Sequence, residues 1–440
     1  MRRTVFNANT KRLTYGIREV VQFAAKVKAL DPDFTFIGEN IGDPVAKGWD
    51  VPRFVKRIVT GLVNARGGKV FGYAHSYGRI KTRQWVADYA RRYSPRSRLD
   101  GDHVLFANGL GGAISIFYRT LKPGTRIIQP CPGYPAHYST ESFAAGAPSI
   151  FYRLDPARGW YPDLEHLESQ IRRHPEIAGI LLINPNNPTG AVYDAPTIEK
   201  VIRLAERYRL MLISDEVYFR MVYNNCRYAQ ATELAGRRVP LVVMRGMSKD
   251  VPWPGGRCGW MEFHNTDRDV DFARFFESIK RTLMMEVCAT SLPQAALPLI
   301  YDHPEFQPWN ARYTAELERN SNAVCRILGR TPGLRVGPIQ GAFYMMARFE
   351  PKALNARQTL PVANAAVRAF IRKTVAQRDM PPDKRFAYYL LAATGICVVP
   401  ATDFASPYPG FRITTLDRNP ARRNRVYRTL SAAVQRYLAS

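Results

Sequence analysis

The chain has 440 residues, 46% of them hydrophobic and 23% charged, and its 63 Lys and Arg against 37 Asp and Glu give a net charge of +26. That length exceeds the roughly 250–300 residues at which one core stops growing, so two domains are expected, and the ordinary apolar content excludes a disordered chain. The charge taken alone fits nucleic acid, an anionic membrane or acidic small molecules.

No apolar run approaches the ~18 residues of a membrane span, and no apolar segment of a signal peptide follows the basic opening MRRTVFNANTKRL; neither export nor membrane insertion is expected, and a cytoplasmic location is. Basic residues are spread along the chain. The densest run, DRNPARRNRVYRTL at 417–430, lies on a helical pattern whose apolar positions are Val426, Leu430, Val434 and Leu438, so its arginines are expected in solvent and not on a nucleic-acid face. The cysteines at 131, 226, 258, 288, 325 and 397 form no CxxC pair, and the histidines form no HxxxH or HExxH. Zinc, other metals and disulfides are therefore not expected; reduced, mostly buried thiols are.

From about residue 100 to 265, short apolar runs alternate with helical patterns. Val104-Leu105-Phe106 precedes a helix carrying Ile114, Phe117 and Leu121; runs follow at Ile127-Ile128, Ile150–Tyr152 and Ile180–Ile183. A second helix carries Ile198, Val201, Ile202 and Ala205, and further runs stand at Leu210–Ile213 and Leu241–Met244, with Trp260-Met261 and Phe263 reading as one more strand. Continuous apolar strands separated by amphipathic helices predict an α/β fold, a mostly parallel sheet covered on both faces. A long helix over about 304–329 ends at GRTPGL, and beyond it GAFYMMARF, GICVVPATDF and GFRITTL read as strands of a smaller α+β unit, with 353–380 helical by period. The expected division is a small domain of 1–45 with 318–440 and a large domain of 46–317.

Ligands of such sheets collect at the carboxyl ends of the strands. Four of those ends carry irregular polar loops: ANGLGG (107–112), NPNNPTG (184–190), SDEVY (214–218) and RGMSK (245–249). In GMSKDVPWPGGRCGW, Pro252, Pro254 and Gly255-Gly256 rule out a helix or central strand after Lys249, which places this lysine on a shaped loop with Arg257 eight residues on.

Together these loops resemble the fold-type I pyridoxal-phosphate aminotransferases of class I/II, and the likeness runs from IGDP (41–44) to FRITT (411–415), looking most like the alanine and aspartate branches. The resemblance implies pyridoxal 5′-phosphate as cofactor, amino-acid and 2-oxo-acid substrates, and a homodimer. It implies that Lys249 forms the Schiff base with the cofactor aldehyde and then carries the proton from Cα. That chemistry needs a neutral amine, hence a pKa pulled below ~10.4 by burial and nearby cations. Asp215 would hold the ring nitrogen protonated, Asn187 and Tyr218 would bond the ring's 3′ oxygen, and Tyr134 would stack on the ring face. The amides of Leu110 and Gly111 at a helix N-terminus, with Ser248 and Arg257, would hold the phosphate. Tyr73 would reach the phosphate of the neighbouring subunit. Arg412 would grip the substrate α-carboxylate, beside room left by Gly42.

Departures from the pattern stand at Gly246, where many relatives have serine or threonine, and at Ala401 and Ala405, where the alanine branch commonly has glycine. A β-eliminating C–S lyase or a synthase of cyclic amino acids on the same fold keeps the same residues. A transcription regulator with an aminotransferase-like domain would need a winged-helix module, for which the about 40 residues before IGDP are too few.

Overall fold

The computed structural model describes residue 3 and residues 5–440; residues 1, 2 and 4 of the basic opening lie outside the described residues. Fourteen strands follow in chain order: β1 Ile37–Gly38, β2 Val104–Asn108, β3 Arg126–Cys131, β4 Phe151–Asp155, β5 Tyr161–Pro162, β6 Ile177–Ile183, β7 Met211–Asp215, β8 Leu241–Gly246, β9 Cys258–His264, β10 Leu334–Arg335, β11 Tyr344–Phe349, β12 Ile396–Cys397, β13 Val399–Pro400 and β14 Gly410–Thr414. Eight of them form one sheet in the order β2-β9-β8-β7-β6-β3-β4-β5. The central pairs are parallel, whereas β9 runs antiparallel to both of its neighbours and β5 antiparallel to β4.

The central strands are apolar throughout because both of their faces are covered. Alternate side chains point to opposite faces: Ile180, Leu182, Leu212, Leu241 and Val243 enter one core with the helix Ala195–Arg207, while Leu181, Ile183, Ile213, Val242 and Met244 enter another with the helix Gly109–Thr120. Each such side chain contributes roughly 1.5–3 kcal/mol by leaving water. One further core joins the two ends of the chain. Val20, Phe23 and Val27 of the helix Gly16–Leu30 pack with Val426, Tyr427, Leu430 and Val434 of the helix Pro420–Leu438 around β11 and β14. Those two strands belong to an antiparallel sheet ordered β10-β11-β14-β13, and β1 pairs with β12 alone.

Two expectations are corrected. Within 353–380 only Ala365–Val375 is helical: Pro361 has no amide to give a helix, and Asn364 caps the helix start by accepting from the amides of Ala366 and Val367. In the C-terminal helix Val426, Leu430 and Val434 are buried as expected and Leu438 partly so, but Arg423 is buried with them and donates to Asn320 Oδ1 at 2.7 Å. All six cysteines are free; Cys131, Cys258 and Cys397 are buried and the other three partly so. Among the described residues, no helix is long and apolar enough to cross a membrane.

Candidate active site

Strand direction brings the polar loops together. Ile183, Asp215 and Met244 are neighbours in register across β6, β7 and β8, so the loops that follow them open on the same edge of the sheet. Because β9 is antiparallel, its beginning meets the ends of β8 and β2: Gly246 pairs with Gly259, and Asn108 with Cys258. Arg257, with its backbone in the left-handed region at φ 50°, thereby reaches the first turn of the helix Gly109–Thr120 and donates to the Asn108 carbonyl at 3.4 Å and the Pro254 carbonyl at 3.0 Å. A side chain on Gly109 would strike the Arg257 guanidinium, and one on Gly259 would come within 2.5 Å of the Leu110 nitrogen. These glycines let the arginine and the helix start share one anion-sized cradle.

A cavity of about 310 Å3 opens at this edge. Gly42, Leu110, Gly111, Tyr134, Asn187, Asp215, Tyr218, Ser248, Lys249, Arg257 and Arg412 all line it. Of the residues singled out in the sequence only Tyr73 does not; it lies outside the cavity of its own chain and is 88% exposed.

Lys249 donates from Nζ to the Gly42 carbonyl at 2.7 Å, and no carboxylate pairs with it among the described residues. Burial pushes its pKa from 10.5 down to about 8; the charge of Asp43 opposes that fall, and those of Arg412 and Arg257 add to it. Asp215 is buried at the end of β7, with Oδ2 3.0 Å from His137 Nε2 and Oδ1 accepting from the Val217 amide. Tyr218 donates to the Tyr344 hydroxyl at 3.2 Å, and burial raises the pKa of Tyr218 well above that of a free phenol. Arg412 is 1% exposed, donates to Asn187 Oδ1 at 3.1 Å and to the Asn40 carbonyl, and lies over the ring of Tyr344 at 4.3 Å. Its Nε is buried with no acceptor among the described residues. Desolvation lowers the Arg412 pKa, so this cation is held where an anionic ligand would restore lost stabilisation.

Sequence reasoning missed His137 behind the site and Tyr15, Arg18, Asp43 and Tyr344 in the cavity lining. His137 is reached from Tyr134 by one turn of the helix Pro135–Ala145, and its Nδ1 lies 3.2 Å from the Tyr118 hydroxyl; its spacing from Tyr134 was the available signal. Tyr344, Tyr15 and Asp43 also line the cavity, and Tyr15 meets Tyr134 through their hydroxyls at 3.0 Å. Nothing local marks Tyr344, which comes from β11 of the other sheet.

The departures have structural counterparts. A Cβ on Gly246 would lie 2.8 Å from the Cys258 carbonyl, so the close β8–β9 approach excludes a serine or threonine there. Ala405 adopts φ 59°, a conformation glycine would hold at lower cost, and its carbonyl accepts from the Cys131 thiol at 2.6 Å.

The partly buried Lys249 and the buried Asp215 and Arg412 meet at one edge of a parallel-centred α/β sheet, and solved structures share that fold. The alanine aminotransferase from Pyrococcus furiosus superposes with a TM-score of 0.83 at 24% identity, covering 98% of this chain and 99% of that one. An Escherichia coli aminotransferase matches with a TM-score of 0.82 at 22% identity over 100% and 99% of the two chains. The sequence profile of the aminotransferases of class I and II matches residues 40–426, so this chain belongs to that family. An uncharacterized aminotransferase of Methanocaldococcus jannaschii is 38% identical over 438 residues, covering 100% of both chains, and the alanine aminotransferase of Mycobacterium bovis is 27% identical over 98% of this chain and 91% of its own. The protein is an aminotransferase, and members of its family use pyridoxal phosphate.

Proposed function

We propose that the chain binds pyridoxal 5′-phosphate and moves an amino group between an L-amino acid and a 2-oxo acid in the two half-reactions of a ping-pong cycle, with Lys249 as the amine that joins the cofactor. One observation carries the reading. Lys249 is withdrawn from water, lacks a carboxylate partner and has its pKa lowered to about 8, inside the cavity that also holds Asp215 and Arg412.

The residues present fit the cofactor. The cradle of Leu110, Gly111, Ser248 and Arg257 offers amides with no intrahelical acceptor, a hydroxyl and a guanidinium, a donor set for a phosphate. Asp215 offers a buried carboxylate able to hold a proton on a ring nitrogen, and its contact with His137 fixes its orientation. Asn187 and Tyr218 supply polar groups for a ring oxygen, and Tyr134 an aromatic face. When bound, pyridoxal phosphate supplies an aldehyde that a primary amine can join and a ring that draws electrons from a bond at the substrate Cα.

Arg412 orients the substrate through its α-carboxylate, and Gly42 leaves space beside it: a Cβ there would overlap the Tyr344 hydroxyl. Lys249, with about half of its amine neutral near pH 8, takes the proton from Cα and returns it. Tyr73, 88% exposed beside Phe71 at 72%, supports a homodimer in which this tyrosine completes the neighbouring site. The core that unites both chain ends supports residues 1–45 with 318–440 as one domain and 46–317 as the other. The free thiols favour a reducing compartment, the cytoplasm.

The test is a single half-reaction. Protein loaded with pyridoxal phosphate and given an amino acid without acceptor should yield stoichiometric pyridoxamine phosphate and 2-oxo acid, and Lys249→Ala should abolish this. Release of ammonia and pyruvate without pyridoxamine phosphate would refute transamination and identify a C–S lyase.

A further inference from the structure

Two neighbouring stretches of chain frame the site: one leaves β7 with Glu216, Tyr218, Phe219 and Arg220, the other leaves β8 with Arg245, Lys249 and Asp250. Two buried ion pairs of opposite sense cross between them. Arg245 donates from Nη2 to Glu216 Oε2 at 2.7 Å, with Glu262 Oε1 3.4 Å from its Nη1, and Arg220 Nε lies 3.2 Å from Asp250 Oδ2. Phe219 meets both cations, its ring centroid lying 4.5 Å from the guanidinium carbon of Arg220 and 4.7 Å from that of Arg245. No step of the reading above uses these charges.

The pair next to the lysine is held from every side. Asp250 is 0% exposed and accepts from the Tyr301 hydroxyl at 2.8 Å and from the Val251 amide at 2.9 Å. Arg220 donates to the hydroxyls of Tyr89 and Tyr93 and lies over the rings of Tyr301 and Phe306 at 4.6 and 5.3 Å. Burial raises the Asp250 pKa, and the charge of Arg220 opposes that rise. Withdrawing two ions from water costs about as much as their attraction returns, so such a pair adds little stability over apolar packing. Its consequence is geometric. Asp250 is joined to Lys249 by one peptide link, Arg220 stands two residues from Tyr218, and the Lys249 carbonyl accepts from the Tyr313 hydroxyl at 3.3 Å.

We propose that Arg220 and Asp250 are positioning residues: their contact ties the stretch bearing Lys249 to the stretch bearing Tyr218, so that the lysine amine and the tyrosine hydroxyl stand at a set separation in the cavity. The proposal rests on the reading that Lys249 joins pyridoxal phosphate and Tyr218 faces its ring. Neither Arg220 nor Asp250 lines the cavity, so both act through the residues they hold.

The test compares wild type with Asp250→Asn, which keeps the size of the side chain and its contact with Tyr301, with Arg220→Met, with Arg220→Lys and with Arg220→Met/Asp250→Asn. The measurements are kcat and KM of the holoenzyme for an amino acid that wild type accepts, the rate at which added pyridoxal phosphate joins Lys249 in the stripped protein, and urea unfolding. Asp250→Asn and Arg220→Met should each lower kcat by about 10- to 100-fold, the scale of a misplacement of about 1 Å, with KM within about 3-fold of wild type. The joining rate should fall with kcat. The double variant should be no worse than Arg220→Met, because the two side chains act through one contact. Arg220→Lys should recover part of both rates. Wild-type kcat and joining rate in Asp250→Asn overturn the proposal even where Arg220→Met fails to fold, and so do losses that multiply in the double variant or a fall in unfolding free energy alone. The reading of Lys249 fails separately, in wild type: pyridoxal phosphate that borohydride cannot fix to Lys249 would refute it whatever the variants do.

Discussion

Replacing Lys249 by methionine in the cofactor-free protein should make it more stable, and the gain should depend on pH in a defined direction. The fold lowers the lysine pKa from 10.5 to about 8, chiefly by withdrawing the ammonium from water. At 1.36 kcal/mol per pH unit that gap is worth about 3 kcal/mol. The pKa of the folded state lies below that of the unfolded chain. The cost is therefore fully present below pH 8 and is shed as the pH rises from about 8 to 10.5. Methionine keeps an unbranched side chain in the same space. It forfeits the bond to the Gly42 carbonyl, a loss of about 1 kcal/mol, which leaves a net gain of about 2 kcal/mol near pH 7. Urea unfolding of wild type and Lys249→Met at about pH 7 and about pH 10 measures this difference at both ends of the titration. A variant less stable than wild type near pH 7, or an advantage that holds steady or grows with pH, would refute the account of the lysine as a desolvated cation.

Arg412→Lys should weaken substrate-carboxylate binding by about 10- to 100-fold with cofactor still bound, because a point charge cannot replace the guanidinium fork; amino-acid titration against the cofactor absorbance measures it, and an unaltered affinity would count against the role. His137→Phe strips the buried Asp215 and Tyr118 of a shared partner, so a stability loss of about 1–3 kcal/mol and faster loss of cofactor are expected. Cofactor retention equal to wild type in dialysis would show that His137 does not position Asp215. Gly42→Ala places a methyl group on the Tyr344 hydroxyl, and overpacking of about 1–3 kcal/mol should appear as lower substrate affinity with the fold intact by circular dichroism.

Much of this molecule is legible one segment at a time. Ile180–Ile183, Leu210–Ile213 and Leu241–Met244 announce two-sided strands because a run with no polar face can be satisfied only between two layers. The loops after them carry their polar residues where no sheet pairing could use them. The helix at 353–364 failed to appear because Pro361 and the Asn364 cap outweigh apolar spacing. Arg423 defeats a rule that places arginines in solvent, since its partner Asn320 lies 103 residues away and leaves no local trace.

The sequence by itself determined the strands, the helices between them and the identity of the polar loops, because hydrophobic period, proline and glycine act over a few residues. Only the tertiary structure decided that β9 inserts antiparallel and carries Arg257 back to Asn108, that His137 meets Asp215, and that Tyr15, Tyr344 and Arg412, far apart in the chain, line the same cavity as Lys249. Those meetings depend on which strand edges pair and which faces bury together, a choice made by the free energy of the whole chain and written in no single stretch of it.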